Sequence, residues 1–216
     1  MATRAVFLDA LGTLVELEPP WVHLARALAV EADERLVGAV RAEMAYYKDH
    51  AHEGRDEPSL ADLRRRCAEV LSAELGLEVS VATMMAAIRF RAYPDAAPAL
   101  DALCRRGLRL VCVSNWDISL PGVLDRCDLL EALDGVVSSA AAGTRKPDPA
   151  IFAPALEIAD CSPSEALHIG DTAAEDLAAG RAAGIPVLLL DRAGGGDIAS
   201  LAEIPPRVGG DGATER

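Results

Sequence analysis

Short apolar runs that end in polar residues alternate with helical periodicities along this chain. Ala5-Val6-Phe7-Leu8 runs into Asp9 and then Ala10-Leu11-Gly12-Thr13-Leu14, which reads as a buried strand ending in a carboxylate and a tight glycine turn. The run Leu108 to Val113 ends in Ser114-Asn115-Trp116-Asp117, and Gly135 to Ser138 forms a third short strand. Ala166 to Ile169 stops at Gly170-Asp171, and Pro186 to Leu190 follows. Between these runs lie helical stretches: Ala96 to Arg106 closed by Gly107, Leu120 to Leu124 with Leu129 to Leu133, Ile151 to Ile158, and Ala173 to Ala183 closed by Gly184. Strand then helix, repeated about five times, predicts a Rossmann-like doubly wound parallel α/β sheet with right-handed crossovers. The C-terminal ends of its strands then face one edge, where ligands of such sheets collect.

The stretch Trp21 to about Arg91 has a different character. Leu24, Leu28, Leu36 and Val40 recur at helical spacing among many charges, and breaks at Gly54 to Pro58 and Gly76 to Ser80 divide the region into about four helices. Ser59-Leu60-Ala61-Asp62 and Ser80-Val81-Ala82-Thr83 are candidate helix starts. We therefore expect a core of residues 1–18 and 92–193, an inserted helical unit over 19–91, and a loose tail over 194–216, where Gly, Pro and charge accumulate.

Composition narrows the partners. The chain is 51% hydrophobic but only 4% aromatic, so its core packs small aliphatic side chains. A formal charge of -13 argues against nucleic acid and anionic membranes, and an anionic substrate then needs cations in the site itself. Only two lysines, Lys48 and Lys146, stand against 19 arginines. Five cysteines without a CxxC pair, no signal peptide and no run of membrane-spanning length predict a cytoplasmic protein.

A shared sheet edge brings together Asp9, Ser114, Lys146 and Asp171. Two close carboxylates require a cation between them, and Mg²⁺ with oxygen ligands is its natural form; Asp176, early in the following helix, can add a ligand or orient bound water. Lys146 can hold Asp9 ionised and grip an anion, while Ser114, Thr13 and the Gly12 turn offer further donors. Such a constellation suits in-line attack of Asp9 on a phosphoryl group.

Four stretches, Asp9-Ala10-Leu11-Gly12-Thr13, the strand ending in Ser114-Asn115, Lys146-Pro147-Asp148-Pro149, and Gly170-Asp171 with Asp176, occur in an order that resembles the haloacid dehalogenase (HAD) superfamily, mostly phosphatases. The resemblance implies a nucleophile at Asp9, Mg²⁺ on Asp9, the Leu11 carbonyl and Asp171 with support from Asp176, and Ser114, Asn115, Lys146 and Gly12 around the transferring group. The helical insertion is similar to a C1-type cap. Leu11 departs from the phosphatase pattern, whose members carry a proton-transferring Asp there; such a loss typically costs about 10²–10⁴-fold in rate. The first motif resembles that of metal-free 2-haloacid dehalogenases, whereas Asp171 with Asp176 resembles the metal-binding phosphatases. The expected function is a Mg²⁺-dependent phosphohydrolase, slow or selective, acting on a small phosphorylated metabolite. The alternatives are a metal-free dehalogenase and a protein that keeps the fold for binding or regulation.

Other residues carry weaker signals. Lys48, in Tyr46-Tyr47-Lys48-Asp49-His50, could serve as an imine-forming lysine like that of phosphonatase-like relatives, but reads first as a solvated cation. His50, His52, Glu53 and Arg55 could face the site or simply line a solvated loop. Trp116 suits a pocket wall or core packing, His168 a core position, and Arg64-Arg65-Arg66 a charged helix face.

Overall fold

The computed structural model describes residues 2–208. From the N-terminus, β1 (Ala5–Leu8) leads through the glycine turn to β2 (Val15–Leu17), and the chain then runs through α1 (Pro20–Leu28), α2 (Glu34–His50), α3 (Glu57–Leu75) and α4 (Val81–Ala87). It returns by β3 (Phe90–Ala92) to α5 (Ala96–Cys104), β4 (Arg109–Ser114), α6 (Leu120–Arg126), β5 (Gly135–Ser138) and α7 (Ser139–Ala142). The last elements are α8 (Ala153–Ala159), β6 (Ala166–Gly170), α9 (Ala178–Ala182), β7 (Val187–Leu189) and α10 (Ile204–Arg207). Five strands form one sheet in the order β5-β4-β1-β6-β7, and every pair is parallel.

The central strand β1 is buried along its whole length, so it alternates between two cores. Val6 and Leu8 face a cluster with Leu100 and Leu103 of α5, whereas Ala5 and Phe7 face Phe152 and Ala155 on the other side. This is the Rossmann-like three-layer α/β fold that the strand–helix alternation predicts. The helices α1–α4 bury Leu24, Leu36, Val40, Leu63 and Leu71 in a separate cluster.

Three local expectations are corrected. The helix expected to start at Ser59 begins at Glu57: Asp56 accepts from the Ser59 amide, and the Ser59 hydroxyl accepts from the Asp56 amide. The linker Val15 to Pro20 contains β2, which pairs antiparallel with β3 and carries a Glu16–Arg91 ion pair at 2.9 Å. The stretch from Gly194 is not loose as far as Val208. Ile198 bridges to Leu190, Ser200 and Glu203 cap a turn, and Ile198, Leu201, Ile204 and Val208 bury their side chains in the same cluster as Val6 and Leu8. The apolar spacing of three and four residues wins over the glycine and proline content; residues 209–216 lie outside the described residues.

Candidate active site

The ends of β1, β4 and β6 and the loop before α8 deliver the expected residues to one place. Asp9 continues β1, and its amide donates to the Ile169 carbonyl. The Thr13, Leu14 and Val15 amides converge on the Ala10 carbonyl, and the Gly12 amide donates to the Val15 carbonyl. Gly12 sits at φ +85°, and a Cβ there would lie 2.1 Å from Asp171 Oδ2, so only glycine lets the two carboxylates approach across this turn.

Lys146 is buried, and its ammonium is fully used: Nζ donates to Asp9 Oδ1 at 2.6 Å, Asp176 Oδ1 at 2.5 Å and the Val113 carbonyl at 3.1 Å. Burial opposes its charge, yet Asp9 and Asp176 together more than offset that and raise its pKa. Burial pushes Asp9 up to about 7 against the attraction of Lys146, with the charge of Asp176 adding to the rise. For Asp176, burial is overcome by His168 and Lys146, which hold its carboxyl below the usual range. His168 Nε2 donates to Asp176 Oδ1 at 2.8 Å, and burial lowers the pKa of the ring.

A π-turn over Ala173–Leu177 widens the chain by one residue just after β6 and sets Asp176 in place. Its Oδ2 accepts from the Thr172 amide at 3.0 Å, while its own amide donates to the Thr172 carbonyl. A Cβ at Gly170 would meet Asp176 Cγ at 2.1 Å, so the glycine before Asp171 is also demanded by packing. Asp176 therefore spends both oxygens on protein donors and acts first as an anchor for Lys146.

Asp9, Asp171 and Asp176 each present a carboxylate oxygen within 4.8 Å of the others. Among the described residues, no donor from another residue reaches Asp9 Oδ2, Asp171 Oδ2 or the Leu11 carbonyl, and Thr13 Oγ1 is buried without a partner. Unspent oxygens beside an orphaned hydroxyl fit a divalent cation and the oxyanion it would carry. Burial raises the Asp171 pKa.

Some expected roles shift. Asn115 does not present its amide to a ligand: Oδ1 accepts from the Lys146 amide at 2.8 Å, and Nδ2 donates to the Lys146 carbonyl and to Glu175. It clamps the backbone that carries the lysine. Ser114 ends β4 and is buried. Leu11 is 40% exposed, and its aliphatic side chain cannot transfer a proton. Trp116 packs its ring on Phe90 of β3.

Lys48 is not a free cation. Three consecutive residues of α2 reach three loops around the site: Tyr47 OH donates to Asp117, Lys48 pairs with Glu175 at 2.9 Å, and the Asp49 carbonyl accepts from Arg145. His50 stacks on Tyr46 and bonds its carbonyl, and Arg55 donates to the His52 carbonyl within its own turn. Arg65 and Arg66 form ion pairs along α3. A shallow depression of about 640 Å³ lies along α3 and residues 76–81, away from the carboxylates.

His168 is the core residue expected, though its bond to Asp176 was not foreseen, and Glu175 is a partner that sequence reasoning missed. A histidine two residues before Gly170-Asp171 and an acid directly before Asp176 were the available signals.

Comparison with known proteins agrees with this geometry. Residues 3–184 match the family model described as haloacid dehalogenase-like hydrolase. Human haloacid dehalogenase-like hydrolase domain-containing protein 3 is 46% identical over 88 residues, 40% of this chain; the match spans 35% of that protein's length. The plasmid phosphoglycolate phosphatase of Cupriavidus necator is 32% identical over 200 residues, covering 86% of this chain and 80% of that protein. The L-2-haloacid dehalogenase of Xanthobacter autotrophicus superposes with a TM-score of 0.72 at 23% identity over 95% of this chain and 98% of its own, which shows a common fold. By its matched residues and its sheet, this chain belongs to the haloacid dehalogenase-like hydrolases.

Proposed function

We propose that this hydrolase is a Mg²⁺-dependent phosphohydrolase in which Asp9 attacks the phosphorus of a small phosphorylated metabolite and forms an aspartyl-phosphate. The observation that carries this reading is the set of unspent oxygens on Asp9, Asp171 and Leu11, beside the orphaned Thr13 hydroxyl. Mg²⁺ would be held by Asp9, Asp171 and the Leu11 carbonyl with Asp176 in support, and when bound it supplies charge neutralisation at the phosphoryl oxygens. Lys146 keeps Asp9 oriented through the Oδ1 contact. Thr13 and Ser114 donate to the transferring group, and Asn115 and Asp176 fix the lysine from either side.

The helices α1–α4 serve as a cap, tied over the site by Tyr47, Lys48 and Asp49. A carboxylate that accepts phosphoryl needs no proton, but the departing alkoxide does. With Leu11 at the usual position of the acid, turnover is slow or confined to esters with good leaving groups. The similarity to phosphoglycolate phosphatases supports a small anionic phosphoester. Five unpaired cysteines, two of them buried, fit a cytoplasmic setting.

Leu11 also favours a second reading, a dehalogenase, since a halide leaves without a proton. Orthophosphate release from a panel of phosphomonoesters and halide release from 2-haloacids, each with Mg²⁺ and with EDTA, separate the two. Phosphate release lost in EDTA and in Asp9→Asn supports the first reading; halide release that survives EDTA, without phosphate release, supports the second.

A further inference from the structure

We propose that Arg192, in the segment after β7, is a positioning residue for the turn that follows Asp9; its effect on rate rests on the phosphohydrolase reading, while its effect on the turn does not. Its guanidinium is used on every side. Nε donates to the Gly12 carbonyl at 3.3 Å, and Nη2 donates to the Thr13 carbonyl at 2.8 Å. Nη1 and Nη2 also donate to the two oxygens of Asp95, at 3.0 and 3.1 Å. The flat face lies 3.6 Å from the centroid of the Tyr93 ring.

Asp95 in turn accepts from the Ser200 hydroxyl at 2.7 Å and the Leu201 amide at 2.9 Å. One side chain thus joins three parts of the chain: the turn after Asp9, the return from β3 at Tyr93 to Asp95, and the packed C-terminal segment. The turn has reason to need it. Gly12 at φ +85° has no side chain to hold it, and its position decides how close Asp171 comes to Asp9. Holding the carbonyls of residues 12 and 13 fixes the peptide planes on both sides of Thr13, whose buried hydroxyl has no protein partner. The turn's own amides bond to Ala10 and Val15 and the Tyr93 amide holds the Leu14 carbonyl from outside, while Arg192 is the outside support of the Gly12 and Thr13 carbonyls.

Lysine cannot do the same work. A single ammonium cannot reach two carbonyls and both Asp95 oxygens while stacking on an aromatic face, so Arg192→Lys keeps the charge and removes the fork.

The test compares wild type, Arg192→Lys, Arg192→Ala and Asp95→Asn by amide hydrogen exchange and by kinetics with a phosphomonoester and Mg²⁺. Exchange across residues 10–15 is expected to rise by roughly tenfold in Arg192→Lys, with peptides of α2 and α3 unchanged. The rate constant kcat is expected to fall by roughly 10–100-fold at a KM within a few-fold of wild type, because a small misplacement near reacting groups is costly in rate. Asp95→Asn, which loosens the grip on Arg192, should move both readouts the same way by less. Added guanidinium ion should restore part of kcat in Arg192→Ala and none in wild type. Unchanged exchange at residues 10–15 overturns the proposal, and so does faster exchange spread through the whole protein, which marks a general stabilising role. If wild type hydrolyses no ester, the phosphohydrolase reading falls and the exchange comparison still decides the role of Arg192.

Discussion

Glu43 offers a stability experiment independent of any substrate. It lies on α2 with 6% of its surface exposed, beside the Cys67 thiol of α3, and among the described residues no cation pairs with it. Burial pushes its pKa from 4.5 up to about 7, with the Cys67 hydrogen bond opposing the rise. In the unfolded chain the carboxyl ionises near 4.5; in the folded protein it keeps its proton until about 7. Below 4.5 both states are protonated and Glu43 costs nothing. As pH rises from 4.5 to 7 the unfolded state gains from ionising while the folded state does not, so stability falls and then levels off. At about 1.4 kcal/mol per pH unit, the loss at pH 8 reaches about 3 kcal/mol.

The variant Glu43→Gln is neutral at every pH. It should match wild type at pH 4 and exceed it at pH 8 by up to about 3 kcal/mol, on the order of 6–12 °C in Tm for a chain of this size. Asp9, also raised to about 7, is present in both proteins and cancels in the difference. Urea denaturation of both proteins at several pH values from 4 to 8 measures it. A stability difference that does not vary with pH, or a variant less stable than wild type at pH 8, refutes the reasoning.

Further outcomes follow from the site itself. Lys146→Met strands the buried Asp9 and Asp176 carboxylates together and should cost about 3–5 kcal/mol in denaturant unfolding at neutral pH. Leu11→Asp restores a proton carrier beside Asp9 and should raise kcat on alkyl phosphates by about 10²–10⁴-fold; no gain points to another chemistry or a binding role. Gly170→Ala drives a methyl into the Asp176 carboxylate and should lower stability by about 1–3 kcal/mol, read as a lower midpoint in urea.

The sheet was legible in the sequence because its strands are short apolar runs punctuated by the residues that do the chemistry. Asp9, Ser114, Lys146 and Asp171 could be placed together from the parallel topology, and Asp176 beside them from its place early in the following helix. What escaped was pairing. Nothing local announces that Asn115 grips the Lys146 backbone, that His168 leans on Asp176, or that Lys48 finds Glu175, since each partner lies far away in sequence or on another element. The three-residue strands β2 and β3 carry too few positions for a period to show. The C-terminal stretch was misread for a different reason. Its glycines and prolines outweighed Ile198, Leu201, Ile204 and Val208, and with that reading the role of Arg192 went unseen.

The central claim concerns the atom that attacks phosphorus. A single turnover with a phosphomonoester and Mg²⁺, quenched in acid and digested, measures it by mass spectrometry of the peptide that contains Asp9. A phosphoryl increment on Asp9, absent in EDTA and in Asp9→Asn, is the expected result. Orthophosphate released while that peptide stays unmodified at every quench time would contradict it.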